Sequence, residues 1–198
     1  MDYKRLEKDI IKKLRQELSC ELYYHRAEHS IQVVADPEII GKSENISEEK
    51  MTLLKTAALL HDSGFLECPC LNEPLACEIA KKILPDYGYN PEQIEQVNGM
   101  ILATAIPQNP KCLLQEIICD ADLAYLGQGN IEPHAENLRR EMEHVLNRTF
   151  TDIQWLDFQL DFLAKHHFFT KYARENLEPG KADYINSLKA EKKLLEGK

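Results

Sequence analysis

Residues 48–65 read EEKMTLLKTAALLHDSGF. The stretch predicts an apolar helix from Glu48 to about His61, with Ser47 as its N-cap. His61 and Asp62 follow, and Gly64 is consistent with a helix ending there. Adjacent residues do not share a helix face, so His61 and Asp62 reach one metal ion only near a helix end. Upstream, residues 24–34 read YHRAEHSIQVV. A helix predicted from about residue 23 to 35, stopped by Asp36-Pro37, puts His25 and His29 four apart on one face that Val33 continues inward. Downstream, residues 118–127 read ICDADLAYLG, on a helix predicted near 111–126. Asp120 and Asp122 diverge there, so at most one is a ligand. Taken alone, each piece has a plainer reading: an HxxxH pair is more often core or surface than a ligand set. Converging from three helices, two imidazoles and two carboxylates make a mixed nitrogen and oxygen site for a divalent cation, the kind used in hydrolysis.

The rest of the chain reads as more helix. Leu6, Ile10, Leu14 and Leu18 recur at helical spacing, and Asn90-Pro91 with Gln93 makes a helix start with a capping box. Pro133 opens a helix to about Asn147. Ile153, Leu156, Leu160 and Leu163 form a further apolar stripe, and Pro179-Gly180 sets off a last charged helix over about 181–195. No strand pattern, repeat or linker interrupts the 198 residues. An all-α, single-domain bundle is expected over 1–198, with a metal-site core at about 20–127 and C-terminal helices at about 133–195 packed on it.

Composition narrows the partners. At 43% hydrophobic and 29% charged residues the chain is globular, and a net charge of −9 argues against nucleic-acid polymers and anionic membranes. The N-terminal stretch has no signal-peptide core, and no apolar run is long enough to span a bilayer. A cytoplasmic protein with its six cysteines reduced is expected. Cys68, Cys70 and Cys77 lack a fourth metal ligand at suitable spacing and read as loop thiols.

In order and spacing these motifs resemble the HD-domain superfamily of metal-dependent phosphohydrolases, in particular a subgroup related to cyclic-nucleotide phosphodiesterases. Tyr24-His25, His29, Val33-Val34, the run Leu59 to Asp62, Gly64-Phe65 and Glu116 through Gly127 carry the likeness. Leu138-Arg139, Glu141, Trp155, Phe162-Leu163, His166 and Thr170 extend it, so it covers most of residues 20–190. The resemblance implies His29, His61, Asp62 and Asp122 as metal ligands. Asp62 is also counted as catalytic, through a bridge to a second, mostly hydrated ion. Asp120 becomes an outer hydrogen-bond acceptor or a helix cap. His25 matches a histidine that protonates the leaving oxygen in the phosphodiesterases; a hydrogen bond to a carboxylate is its other reading. His166 matches a motif position that faces the pocket. Arg139 and Lys181 are candidates to bind substrate phosphate, and Thr104 and Gln108 to line the site.

The expected cofactor is a divalent ion of manganese, iron, cobalt, nickel, zinc or magnesium. The expected substrate is a small phosphoester, a nucleotide, cleaved as a monoester or a diester. The alternative is a non-catalytic HD-fold module that binds a nucleotide or a protein. Two departures qualify the likeness: Arg26 stands where the family has asparagine, and no histidine occurs between His61 and His134 to complete a second metal site.

Overall fold

A computed structural model describes residues 1–129 and 131–197. It is all-α. The helices are α1 (Tyr3–Glu17), α2 (Ala27–Ser43), α3 (Glu48–Leu60), α4 (Asn72–Ile83), α5 (Pro91–Ala103), α6 (Leu113–Asp122), α7 (Glu132–Val145), α8 (Asp152–Lys165), α9 (Lys171–Asn176) and α10 (Glu178–Glu196). Short 3₁₀ turns at Ser63–Leu66, Pro69–Leu71, Leu84–Tyr87 and Ala124–Gly127 join some of them, and no strand occurs among the described residues.

The helix carrying the opening motif lies at the centre of one core. Leu53, Leu54, Ala57, Ala58, Leu59 and Leu60 are all buried, as expected of a helix apolar on every side, and α3 packs on α1, α2, α5 and α6. Ser47 caps it by accepting from the Lys50 N–H, and Asn90 and Gln93 close a capping box at the head of α5. A second apolar cluster joins Leu123 and Leu126 to α8, α9 and α10.

Three helix boundaries differ from the sequence reading. Pro37 does not end α2, which runs on to Ser43 with Pro37 buried inside it. An internal proline costs about 3 kcal/mol through its lost hydrogen bond and ring clash. Here Ile40 and Gly41, buried beyond it in the α2–α3 contact, offset that cost. The same helix starts at Ala27, so Tyr23 to Arg26 precede it as bends. Pro179 and Gly180 lie in the first turn of α10, where proline's missing N–H has no intrahelical partner to lose. In addition, α4 fills a stretch for which no helix was expected; its buried face is largely Ala76, Cys77 and Ala80, small side chains with a weak apolar signal.

Gly127 ends the turn after α6 and lies against the chain entering α10. A Cβ at Gly127 would sit 2.3 Å from the Leu177 carbonyl oxygen and 2.5 Å from the Leu177 Cα. Both are backbone atoms that cannot rotate away. Gly127→Ala is therefore expected to destabilise the protein by about 1–3 kcal/mol, the usual cost of overpacking. A thermal melt should show a fall in Tm of roughly 2–12 °C.

Candidate metal centre and cavity

His61 is the C-cap of α3 and Asp62 follows it, so both side chains leave a helix end together. His29 comes from the first turn of α2 and Asp122 from the last residue of α6. His29 Nε2 lies 3.3 Å from Asp122 Oδ1 and 3.5 Å from Asp62 Oδ2. His61 Nε2 lies 3.2 Å from each of the same two oxygens. His29, His61 and Asp122 offer ligand atoms that all lie within 4.8 Å of one another, and Asp62 adjoins the two histidines of that group.

The bonding of the outer atoms points the same way. His61 Nδ1 donates to the Ala58 carbonyl at 2.8 Å, which leaves Nε2 as the inward nitrogen. Asn72, at the head of α4, donates from Nδ2 to Asp62 Oδ1 at 3.1 Å and to the His61 carbonyl at 3.0 Å. His61 Nε2 and Asp62 Oδ2 are buried and have no hydrogen-bond partner among the described residues. Buried polar atoms without hydrogen-bond partners are costly, and a cation between these two would satisfy both. The donor set fits a divalent metal.

Electrostatics agree with that fit. Burial resists charge on His61, yet the Asp62 and Asp122 carboxylates hold its pKa well above the usual histidine value. Burial also opposes ionisation of Asp122, but His61 and His29 draw its pKa down to about 2. Asp62 is held low too, burial being outweighed by the three histidines around it. A cation entering between these groups displaces protons, so its affinity rises with pH.

His25 precedes α2, so it does not share a helix face with His29, and the rings are 6.4 Å apart. It makes the carboxylate hydrogen bond that is its second reading. Its Nδ1 instead pairs with Glu141 Oε1, while Glu141 Oε2 accepts the Tyr24 and His25 backbone N–H groups at 2.8 and 3.0 Å. The ring stacks on Phe65 with centroids 4.0 Å apart. Burial works against charging His25, but Asp62 and Glu141 together raise its pKa.

A cavity of about 360 Å³ opens from this cluster toward α7, α8 and α10. His25, His29, His61, Asp62 and Asp122 line it, as do Thr104 and, from the distal helices, Trp155, Gln159, Phe162 and Tyr184. Four expected residues do not line it. Gln108 donates to the Cys119 carbonyl. Arg139 is committed to Glu143, Asp152 and the Phe150 carbonyl, tying α7 to the start of α8. Lys181 donates to Glu178 at 2.7 Å and to the His166 carbonyl at 2.8 Å. His166 caps the end of α8, where burial and Lys181 lower its pKa to about 3, so it is a neutral packed ring.

Other residues are repositioned by their surroundings. Asp120 is fully buried and accepts the Phe169 and Thr170 N–H groups at 2.8 and 2.7 Å, holding the entrance to α9. Gly64 is not a left-handed cap: a Cβ there would lie 2.0 Å from the Asn72 carbonyl oxygen, so glycine permits α4 to approach the His61-Asp62 turn. Cys68 and Cys70 are not reduced but joined in a disulfide, their Cα atoms 5.5 Å apart across the Pro69–Leu71 turn. Asn72, Glu141 and Gln159 were not assigned site roles from sequence. Glu141 alone carried a signal, its place in the Leu138-Arg139 motif.

Residues 26–124 match the HD domain family, and that span contains all four converging side chains. The chain belongs to the HD-domain family. This HD-domain protein therefore belongs to a superfamily of metal-dependent phosphohydrolases. Its fold is shared by YpgQ of Bacillus subtilis, solved in complex with ADP, with a TM-score of 0.64 and 19% identity over 96% of this chain and 97% of that one. No curated protein matches the sequence. Among the described residues no helix is long and apolar enough to cross a membrane.

Proposed function

We propose that this HD-domain protein hydrolyses a small phosphoester, a nucleotide, with a divalent cation as cofactor held by His29, His61, Asp62 and Asp122. The observation that carries the reading is the convergence of His61 Nε2 and Asp62 Oδ2, buried and unpartnered, on the wall of a substrate-sized cavity. The ADP bound by YpgQ, which has the same fold, supports a nucleotide as ligand. Held by these four side chains, a divalent cation would supply polarisation of the phosphoryl group and a bound water of near-neutral pKa.

The chain's own residues supply the rest. Asn72 fixes Asp62 so that Oδ2 faces the cluster, and the Ala58 carbonyl fixes the His61 ring. Glu141 holds His25 at Nδ1 and favours its protonated form, leaving Nε2 to donate to the departing oxygen. Such general-acid help is worth roughly 10²- to 10⁴-fold.

The test is hydrolysis of nucleoside monophosphates and cyclic mononucleotides by Mn²⁺-loaded protein. Release of phosphate from the monophosphates identifies a monoesterase; opening of the cyclic substrates identifies a diesterase. No turnover in protein shown to carry metal would defeat the reading.

A further inference from the structure

A second cavity, of about 240 Å³, also reaches the metal cluster. His29, Asp122 and Tyr125 line it as well as the main cavity, and Gln32 and Asp36 on α2, Gln128 after the last 3₁₀ turn and His134 on α7 complete it. Exposure falls along this cavity. Gln32 and Gln128 are exposed, Asp36 and His134 half-buried, and His29 buried. It therefore leads from solvent to two of the four proposed ligands without passing the aromatic wall on α8.

The two approaches suit different visitors. The main cavity is walled by Leu138, Met142, Trp155, Phe158 and Phe162, and a hydrated cation gains nothing from such side chains. Besides the ligands its wall carries His25 and Glu73, which have opposite signs in the proposed mechanism. The smaller cavity offers oxygen and nitrogen atoms along its length, and no lysine or arginine is among its described lining residues. Asp36 stands part-way in. Its Oδ1 accepts from Gln128 Nε2 at 2.9 Å, which fixes the carboxylate, and no salt bridge among the described residues offsets its charge. Carboxylate and amide oxygens are what a hard divalent cation exchanges for water.

Resting on the metal site of the hydrolase reading above, we infer that the smaller cavity is the route by which the divalent cation enters and leaves the cluster, with Asp36 as the charge that draws it in. The cation and the substrate then reach the site by separate paths, and the ion can exchange while the main cavity is occupied. Asp36 is not a ligand of the seated ion: the group whose ligand atoms close on one another is His29, His61 and Asp122. A charge on the path and outside the site acts on entry and exit together. It changes both rates and leaves the affinity nearly constant, which no ligand can do.

Stopped-flow mixing of the metal-free whole protein with Mn²⁺, free ion being reported by a fluorescent chelator, gives the entry rate. Mixing the loaded protein with excess chelator gives the exit rate. Asp36→Asn keeps the oxygen that accepts from Gln128 and removes the charge. It should lower both rates by about 10-fold, at the small end of what charge steering contributes, while Kd moves by less than about 3-fold. Asp36→Glu keeps the charge and should restore both rates. Glu73→Gln, on the wall of the main cavity, should leave them as they are. Unchanged rates in Asp36→Asn, an equal loss in Asp36→Glu, or a larger effect from Glu73→Gln would overturn the inference. So would faster exit with unchanged entry in Asp36→Asn, since that makes Asp36 a ligand. The expected rates in a protein that hydrolyses no phosphoester would leave the route standing and defeat the hydrolase reading. Turnover with unaltered Asp36→Asn rates would do the opposite.

Discussion

Replacing Asp62 by alanine is expected to abolish hydrolysis and metal retention together. Its Oδ2 lies 3.2 Å from His61 Nε2 and 3.5 Å from His29 Nε2, so it closes the ligand cluster from two sides. In the proposed site it is one of two carboxylates that would neutralise the cation. Removing an outer hydrogen-bond partner of a metal ligand typically costs roughly 10- to 100-fold in affinity or activity. Removing the ligand itself must cost more, here above about 10³-fold in turnover, because charge and coordination are lost at once. Asn72→Ala provides the intermediate case. It frees Asp62 Oδ1 without removing a ligand, and should stay within that roughly 10- to 100-fold range. Elemental analysis of purified protein, with turnover measured on the same sample, reads both effects. An Asp62→Ala protein that keeps stoichiometric metal and measurable turnover would refute the ligand assignment.

The contrast between Asp62 and Asn72 shows where the site is legible in the chain and where it is not. His61 and Asp62 can be read because their roles follow from local structure: an apolar helix ends and two adjacent side chains diverge from its tip. Asn90 with Gln93, and Ser47, are legible for the same reason, since a cap bonds to residues three positions away. Asn72 acts across ten residues of turn, and no local pattern marks it. Gln159 is harder still, a polar residue on an apolar stripe whose meaning depends on Tyr184 from another helix. Arg139 and Lys181 fail in the opposite direction. Their charge was visible, but Glu143 and Glu178, within one helical turn of each, captured it, with Asp152 adding a second partner for Arg139. Pro37 and α4 were misread because tertiary burial overrides local propensity.

The histidine that precedes α2 is where the chain's folding and its proposed chemistry meet. His25→Ala is expected to leave metal content unchanged and to lower kcat by about 10²- to 10⁴-fold. The proposed ligand set uses neither ring nitrogen: Nδ1 is taken by Glu141, and His29 is the imidazole placed beside Asp122. Glu141→Gln tests how His25 is held. Glutamine has one oxygen, yet Glu141 uses two, one for the His25 ring and one for the Tyr24 and His25 N–H groups. The variant therefore loses a buried acceptor, worth about 1–3 kcal/mol, and with it the negative charge. The sign of the pH effect follows from that charge. Burial lowers the His25 pKa, while Asp62 and Glu141 raise it beyond its ordinary value. With the Glu141 charge gone, burial regains ground and the pKa falls. The protonated form is then lost at lower pH, and the alkaline limb of the kcat profile should move toward acid. A merely structural role for Glu141 would lower kcat evenly at every pH. Loss of metal from His25→Ala would instead make His25 a ligand and remove the general acid from the mechanism.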